Sequence, residues 1–284
     1  MELLGLATFR AVVDEGGVLA ASKILHTVQS NVTTRIKRLE EEVGADLFVR
    51  SGRSLSLTPA GRVLLKYARQ MLQLERQARL AVKQVMDQGG EVRIGTMESF
   101  AAIRLPYMLL RLHQACPSIE VKVQTDTSHA LIQAVLKHEL DCAFIGGPFD
   151  HPDLVTQAVA YEELVAVKSK VIQRSDTLIV FREGCTYRER ALQWQRQHVS
   201  QFDVMEMGTL EGILGCVAFG LGVTLMPRSV IEQSQYRDRL VCVELVSELA
   251  IIPTLLIRHK NLPILPGMDV LAEAFIDTAV QPCL

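Results

Sequence analysis

Two short helices joined by a tight turn are predicted by the order of apolar and polar positions between Ala20 and Glu40. At about 100° per residue, four apolar side chains of the second helix fall on one side and form a core stripe. They are Val32, Ile36, Leu39 and Val43. Hydroxyl and cationic side chains cluster on the opposite side: Ser30, Thr33, Thr34, Lys37 and Arg38. A helix with these two faces can pack on its own domain and still lie in the major groove of DNA.

The N-terminal end of this second helix is where a recognition helix usually meets base edges, and Gln29 lies there. Thr27 is predicted to cap the helix, with its side-chain oxygen accepting a hydrogen bond from an early backbone N–H. The alternative interpretation is an ordinary amphipathic helix pair with a solvated polar face, because matches to helix-turn-helix patterns include false positives.

Two short strands are predicted after the helices, at Ala45–Arg50 and Leu55–Leu57. The loop between them contains a glycine and has the basic residues Arg50 and Arg53 at its margins. This pattern is typical of a winged helix-turn-helix and favours DNA binding over the amphipathic pair. The two arginines are expected near the phosphate backbone, where contacts set register and affinity, while the helix sets the choice of sequence.

A long helix is predicted from Thr58-Pro59, a capping residue followed by proline at the first helical position, to the stop at Gly89-Gly90. Apolar residues recur along it at alternating spacings of four and three, which makes a heptad seam. They are Ala60, Leu64, Tyr67, Met71, Leu74, Ala78, Ala81 and Val85. The seam could pack on its own chain, but a helix this long between two domains more often meets the same helix of a partner chain. A dimer would place two recognition helices on two half-sites.

Strands and helices alternate beyond Gly90, in two similar sets. The first set has strands at Glu91–Thr96, Ile119–Thr125 and Asp141–Gly146, and helices at Phe100–Ala115 and His129–His138. The second has strands at Leu178–Phe181, Asp203–Met207 and Val223–Leu225, and helices near Tyr187–His198 and at Leu210–Phe219. Crossing strands are predicted at Val241–Leu245 and Pro253–Arg258, and a final helix at Met268–Val280. This order indicates parallel sheets with right-handed crossovers, in two lobes that suggest a hinged ligand binder.

Small polar residues stand at the carboxyl ends of these strands, where ligands of open α/β sheets bind. The candidate effector-binding residues are Thr96, Glu98, Ser99, Thr125, Thr127, Ser128, Gly147 and Thr209. Hydroxyls and backbone N–H groups at helix N-termini make an anion site, so a carboxylate is one candidate effector. Glu98 and Asp126 argue against a purely anionic ligand unless they point away or bind its polar groups. The alternative is that Ser99, Thr127 and Thr209 only cap their helices.

Charge separates a basic N-terminal part, here called the head (residues 1–90), from an acidic remainder, the body (residues 91–284). Residues 1–90 hold 13 Lys and Arg against 9 Asp and Glu, a net charge of +4. Residues 91–284 hold 17 and 23, a net charge of −6. This distribution predicts that the head binds nucleic acid. The 284 residues, 49% of them hydrophobic and 22% charged, allow two or more domains with a sizeable core.

Several other classes of protein have weak support. Leu3–Phe9 follows Glu2 rather than a basic segment, and the uncharged stretch Gly212–Pro227 has only 16 residues, so we expect a cytoplasmic chain with no membrane partner. The six cysteines lack CxxC or zinc-finger spacing, and we expect most of them to be buried small hydrophobes. A redox pair such as Cys185 with Cys216 remains an alternative. We find no nucleophile elbow, GxxxxGK loop or metal-binding His pair, so no catalytic residue, metal or cofactor is predicted.

With these motifs the chain resembles the LysR-type transcriptional regulators along its whole length. The residues of the head that match are Phe9, Val12, Gly16 or Gly17, Ala20-Ala21, Leu25, Gln29-Ser30, Val32, Ile36, Leu39-Glu40, Gly44, Leu47-Phe48, Arg50, Arg53, Leu57-Thr58 and Gly61. Those of the body are Arg93-Ile94-Gly95, Leu140-Asp141 and Gly220-Leu221-Gly222-Val223, with Met226-Pro227 after them.

The resemblance implies an α/β chain with an N-terminal winged helix-turn-helix (1–58), a linker helix that dimerises (59–90) and an effector domain similar to periplasmic binding proteins (91–284). Its lobe I would comprise 91–161 and 264–284, and lobe II 162–263. Expected partners are promoter DNA, which the protein would bend, a small-molecule effector, RNA polymerase, and further copies in a homodimer and homotetramer. The expected DNA-binding residues are Gln29, Ser30, Asn31, Thr33, Thr34, Arg35, Lys37, Arg50 and Arg53.

Departures from the family pattern fall on the recognition helix. Many members have Ser at the position of Val28 and Ser-Arg in place of Thr33-Thr34. Here the cation comes one position later, at Arg35, which leans toward the core flank and is expected to reach phosphate rather than a base. The mechanism implied is a shift in population between two arrangements of the dimers, driven by effector in the cleft. The alternatives are a cysteine redox-sensing regulator, an α/β enzyme and a solute-binding protein.

Overall fold

The computed structural model describes residues 1–51, 54–85, 90–171, 176–197, 203–245, 247–261 and 270–271. It divides into two units, Met1–Val82 and Lys83–Leu284. The first unit contains α1 (Leu3–Asp14), α2 (Val18–Ile24), α3 (Gln29–Val43), β1 (Phe48–Ser51), β2 (Ser54–Leu57) and most of α4 (Pro59–Val85).

One apolar core holds the first unit together. Its fully buried members include Leu6 and Phe9 of α1, Val32 and Leu39 of α3, and Leu47 before β1. The predicted core stripe of α3 is confirmed for Val32, Ile36 and Leu39, which are buried. It is wrong for Val43, the last residue of the helix, which is 39% exposed and outside the described core cluster.

The turn between α2 and α3 is closed by backbone hydrogen bonds. His26 adopts a left-handed φ of 48°, and Thr27 N donates to Ser22 O at 3.0 Å. The predicted cap by Thr27 is wrong, because the cap position falls at Val28 and no side chain caps α3. The Thr27 hydroxyl instead accepts from Asn31 Nδ2 at 3.1 Å. The first backbone N–H groups of α3 are therefore left without a side-chain cap.

The wing is an antiparallel hairpin, with Phe48 opposite Leu57 and Ser51 opposite Ser54. Its first strand begins at Phe48 and not at Ala45 as predicted. At this end of the hairpin the backbone N–H groups of Leu47 and Phe48 both donate to Glu40 Oε1, at 2.8 and 3.3 Å, which holds the start of the wing against α3. Arg53 and the side chain of Arg50 lie outside the described residues.

Helix α4 begins as the sequence predicts, with Gly61 N donating to the Thr58 hydroxyl at 2.9 Å. Gly61 passes so close to the start of the wing that an added Cβ would lie 2.2 Å from Leu47 O, so a larger residue would push the helix away. Residues of the predicted heptad seam differ in whether they are packed on the core or exposed. Leu64 packs against the core, whereas Tyr67, Met71 and Leu74 are 54%, 41% and 55% exposed. The predicted end of the helix at Gly89 lies outside the described residues.

The second unit is built on a mixed sheet in the order β10-β6-β11-β5-β3-β4, with β9 also paired to β6. Its strands are β3 (Gly90–Thr96), β4 (Ile119–Thr125), β5 (Cys142–Gly146), β6 (Leu154–Ser169), β9 (Thr224–Pro227), β10 (Leu240–Glu244) and β11 (Ile251–His259). A separate parallel pair is formed by β7 (Thr177–Phe181) and β8 (Asp203–Met207). The helices are α5 (Glu98–Ile103), α6 (Leu105–Ala115), α7 (Ser128–Leu136), α8 (Thr186–Arg196), α9 (Leu210–Ala218), α10 (Arg228–Gln233) and α11 (Ser247–Ala250), with a 3-10 turn at Arg237–Arg239.

The parallel order of the first predicted set is confirmed, since β3 pairs in parallel with both β4 and β5. The single predicted helix Phe100–Ala115 is wrong. It breaks at Arg104, because Pro106 at the start of α6 lacks an N–H, and its ring would clash with a carbonyl of a continuous helix. The second set is less regular than predicted, because β9 pairs antiparallel with β6, and the described pairing toward β7 is an isolated parallel bridge between Leu178 and Val223, the residue before β9.

Strand β6 was not predicted, and it connects the two halves of the second unit. Its first ten residues pair with β11 and its last six with β9 and β10. Burial along it is irregular at first and nearly continuous later, so no alternation marks it in the sequence. The predicted final helix Met268–Val280 lies outside the described residues except at 270–271, which are helical. No described helix is long and apolar enough to span a membrane.

Candidate nucleic-acid interface and effector cavity

The predicted DNA-binding residues of α3 lie together on the side of the helix away from the core. Exposed among them are Gln29, Ser30, Asn31, Thr33, Thr34 and Lys37. Arg35 is half-buried, as expected for a residue at the core flank. The Thr33 hydroxyl donates to Gln29 O at 2.9 Å, so its oxygen lone pairs and its methyl group remain available to a partner. The contribution of Arg50 and Arg53 stays a prediction, because the arginine side chains are not described.

A cavity of about 220 Å³ lies in the second unit, at the carboxyl ends of four strands. Two of the strands, β3 and β4, belong to one half of the unit, and β7 and β8 belong to the other. The lining residues are Met97, Glu98, Ser99, Thr125, Asp126, Thr127, Ser128, Phe181, Arg182, Cys185, Tyr187, Gly208 and Thr209. The cavity therefore lies where the strand-end argument expects a ligand.

The structure brings six of the predicted effector-binding residues to this cavity and leaves two outside its lining. Those that line it are Glu98, Ser99, Thr125, Thr127, Ser128 and Thr209. Thr96 is fully buried, and its hydroxyl donates to Met97 O at 3.2 Å. Gly147 N donates to Pro253 O at 2.7 Å, which ties it to β11 instead. Effector binding by all eight residues stays a prediction.

Several polar contacts join the two halves of the unit at the cavity. Glu98 Oε1 accepts from Leu210 N at 2.9 Å, at the start of α9. Ser99 Oγ and Tyr187 OH lie 3.3 Å apart, both buried. Arg182 Nη2 lies 3.5 Å from Asp126 Oδ1. These contacts hold the two halves together around the cavity.

Hydroxyls also join the two halves beside the cavity. Thr186 Oγ1 lies 3.0 Å from Ser128 Oγ and 3.2 Å from Gly146 O, while Gly146 N donates to Ser128 Oγ at 3.1 Å. Gly184, with φ at +86°, passes close enough that an added Cβ would lie 2.9 Å from His129 Cβ. The backbone at Gly184 in one half therefore lies close against the start of α7 in the other, beside the cavity.

The helix-capping interpretation is confirmed for two of the three residues to which it was applied. Thr127 caps α7 by accepting from Ala130 N, and Thr209 caps α9 by accepting from Gly212 N. Ser99 does not cap α5, whose cap position is Met97. Asp126 Oδ1 also takes the backbone N–H of Thr127 at 2.8 Å. Many of the helix N-terminal donors on which the anion site was predicted already have protein partners.

Sequence reasoning found Thr209 in the second half but missed Arg182 and Tyr187 there. Phe181 and Arg182 stand at and just after the end of β7, so the strand-end argument would have found them had it been applied there. Burial raises the pKa of the Tyr187 phenol, which keeps the hydroxyl neutral beside Ser99. Tyr187 carries no sequence signal, because only the fold brings its helix to the cavity.

The described cysteines are free of disulfides, and one of them, Cys185, lines the cavity. The expectation that most cysteines are buried is wrong for the described ones: Cys142 is buried, and Cys116, Cys185, Cys216 and Cys242 are partly exposed. Burial raises the pKa of the Cys142 and Cys185 thiols, which disfavours the reactive thiolate. Within the described ranges, no group of His, Cys, Asp and Glu could hold a metal ion.

A winged helix-turn-helix followed by a two-half α/β unit with a cavity between the halves defines a ligand-responsive DNA-binding regulator. Two family models match the chain: "Bacterial regulatory helix-turn-helix protein, lysR family" over residues 3–62, and "LysR substrate binding domain" over residues 87–281. The chain belongs to the LysR family of DNA-binding transcriptional regulators, with an effector-binding substrate domain. The resemblance found in the sequence is confirmed.

Relatives span nearly the full chain. It is 36% identical over 278 residues to the HTH-type transcriptional regulator GltR of Bacillus subtilis, covering 95% of this chain and 94% of that protein. It is 37% identical over 251 residues to the HTH-type transcriptional regulator YofA of Bacillus velezensis, covering 86% and 87%. Both relatives are HTH-type transcriptional regulators.

Solved structures share the fold. A full-length OxyR variant from Pseudomonas aeruginosa superposes with a TM-score of 0.70 at 21% identity, over 97% of this chain and 94% of that one. Full-length CbnR, in a structure with its target DNA, superposes with a TM-score of 0.65 at 19% identity, over 98% and 100%. At such low identity the likeness concerns the fold alone.

Proposed function

We propose that this chain binds promoter DNA through the exposed face of α3 and that a small molecule in the cavity controls how that DNA is bound. The observation that carries the proposal is the division of α3 into two faces. Val32, Ile36 and Leu39 are buried in the core, while the hydroxyl, amide and cationic side chains opposite them are exposed and mostly unengaged. Base-edge contacts from these side chains would set the choice of sequence.

The N-terminus of α3 supports the same role. Because no side chain caps the helix, its first N–H groups are available to a DNA phosphate, and the helix dipole favours that anion. Arg35 at the flank, with Arg50 and Arg53 in the wing, would add phosphate contacts that set affinity and register.

Dimerisation would use α4. Val63, Tyr67, Met71 and Leu74 are exposed along this helix, and a second copy of the same helix would bury them. A dimer would present two α3 helices to two half-sites, and pairing of dimers would give the proposed homotetramer and bend the promoter. We also propose RNA polymerase as a partner and the cytoplasm as the location. The division into 1–58, 59–90 and 91–284, with lobes 91–161 plus 264–284 and 162–263, stays a proposal as well.

Control by the effector would follow from the contacts across the cavity. A ligand that binds one arrangement of the two halves more tightly shifts the population toward it, and a coupling of about 1–3 kcal/mol to DNA binding is typical of such systems. The binding residues would be Glu98, Ser99, Thr125, Thr127, Ser128 and Thr209, together with Arg182 and Tyr187.

The test is selection of binding sites from random-sequence DNA by the full-length chain, followed by footprinting. We expect one preferred sequence with two protected half-sites about one helical turn apart, or a multiple of that. A chain that enriches no sequence, or that binds selected and random DNA equally, would contradict the proposal.

A further inference from the structure

We infer that the effector cavity is built for a small molecule that carries a protonated amine and an apolar group, with Glu98 as the carboxylate that binds the amine. The inference rests on the proposed function, since it names the ligand class of the same cavity. It reverses the expectation of an anion, and the reason is how the polar groups of the cavity are already used.

Several donors that could bind an anion are already bonded within the protein. At the start of α7, Thr127 N is held by Asp126 and Ala130 N by the Thr127 hydroxyl. At the start of α9, Leu210 N is held by Glu98 and Gly212 N by the Thr209 hydroxyl. A ligand carboxylate that used these four N–H groups would have to displace the protein groups that hold them, so it would gain little at α7 and α9.

The charges of the lining favour a cation. Glu98, Asp126 and Arg182 are its charged members, which gives the described lining a net charge of −1. Asp126 and Arg182 face each other at 3.5 Å. Glu98 has no ion-pair partner among the described residues, and its one hydrogen bond there is the 2.9 Å contact from Leu210 N. A carboxylate can accept about four hydrogen bonds, so Glu98 can bind an ammonium without releasing α9.

The rest of the lining fits the remainder of such a ligand. Met97, Phe181 and Tyr187 are 5%, 8% and 4% exposed and give the cavity an apolar side. Arg182, which is more than half exposed, could meet a ligand carboxylate, which an amino acid has and a simple amine lacks. The shared requirement is the ammonium group, and a cavity of about 220 Å³ limits the ligand to a small molecule.

The experiment compares three matched compounds by thermal shift and calorimetry on the full-length chain. Leucine has both charged groups, isopentylamine has only the amine, and 4-methylpentanoate has only the carboxylate. We expect stabilisation by leucine, by isopentylamine or by both, and at least tenfold weaker binding of 4-methylpentanoate. A larger triad of phenylalanine, phenethylamine and 3-phenylpropionate repeats the comparison with an aromatic group.

Two variants identify the carboxylate. Glu98→Gln removes the charge but keeps an oxygen that can accept from Leu210 N, and it should weaken binding of the amine at least tenfold. Glu211→Gln makes the same change at an exposed residue of α9 outside the lining, and it should leave binding unchanged. Both variants should bind random-sequence DNA as the unaltered chain does.

Each other outcome overturns the inference. Binding of the carboxylates alone would show an anion site, and binding of no member of either triad would show that this ligand class is wrong. Amine binding that Glu98→Gln leaves unchanged would remove Glu98 as the partner. None of these results would affect the selected DNA site, so failure of the inference is distinguishable from failure of the proposed function.

Discussion

The exposed face of α3 and the effector cavity carry similar polar side chains, but these side chains differ in how many contacts they make within the protein. On α3, Gln29, Ser30 and Lys37 extend into solvent, and few of the polar groups there are bound to the protein. In the cavity, Glu98, Ser99 and Asp126 already contact groups of the opposite half. A partner of α3 therefore adds contacts without breaking any that stabilise the protein. A ligand of the cavity must instead add to, or replace, contacts that hold the two halves together.

This difference has a consequence for substitutions. Changes on α3 should alter DNA binding and leave the free energy of unfolding nearly unchanged, because surface side chains without partners contribute little to it. Changes in the cavity should alter both ligand binding and stability, because a buried polar group that loses its partner is costly.

The largest effect is expected in α4, outside both regions, because a dimer formed through this helix would let two α3 helices bind two half-sites. Leu74→Asp places a carboxylate in the exposed apolar row of α4 and should abolish the dimer and, with it, operator binding. Sedimentation and gel shift would measure the two losses. Lys66→Asp places the same group on the exposed polar side of the helix and serves as control. A dimer that survives Leu74→Asp would show that α4 does not carry the interface.

On the exposed face of α3, Thr33→Ala should weaken specific DNA binding by about 1–3 kcal/mol, while binding to random-sequence DNA and the melting temperature stay the same. The physical reason is that the Thr33 side chain is exposed and bonded only within its own helix. Titration of both DNAs by fluorescence anisotropy separates the two. If both affinities fall together, Thr33 has a structural role and the contrast with the cavity fails there.

In the cavity, Tyr187→Phe should lower the free energy of unfolding by about 1 kcal/mol, because it removes a buried hydroxyl that pairs with Ser99. A chain of this size would melt about 2–4 °C lower. Tyr161→Phe, at a side chain that is 69% exposed, is the matched control and should melt as the unaltered chain does. Equal melting of the two variants would argue against the view that cavity contacts hold the halves together.

The smallest effect is expected for Lys37→Ala, which removes an exposed cation of α3. It should weaken selected and random DNA by the same modest factor and lower the slope of log affinity against log salt by about 1. Lys137→Ala, an exposed lysine of the second unit, should change neither quantity. Loss of specificity without a change in slope would mean that Lys37 reads a base.

The two regions also differ in how well the sequence predicts them. The α3 face was predictable because its residues lie within one helix, where a period of about 3.6 residues fixes which side chains share a face. Part of the cavity was predictable from the ends of β3, β4 and β8. Arg182 was missed because the strand-end argument was not applied to β7, and Tyr187 was missed because only packing of the second half against the first brings its helix to the lining.

The local errors have local causes. Thr27 does not cap α3 because the left-handed turn at His26 moves the cap to Val28. Pro106 divides one predicted helix into α5 and α6. Strand β6 was not predicted, because burial along it follows no single period. The period changes because the first part of the strand pairs with β11 and the last part with β10.

The sequence by itself determined the winged helix-turn-helix, the long α4, the alternating α/β body and the family, because each rests on periodicity or on motifs within short segments. The tertiary structure decided which strand ends meet, that Glu98 holds the first N–H of a helix in the opposite half, and that the predicted anion-site donors at the starts of α7 and α9 are already bonded. The physical reason is that these contacts join residues such as Glu98 and Leu210, which are 112 positions apart in the chain. No local pattern encodes a contact of that kind.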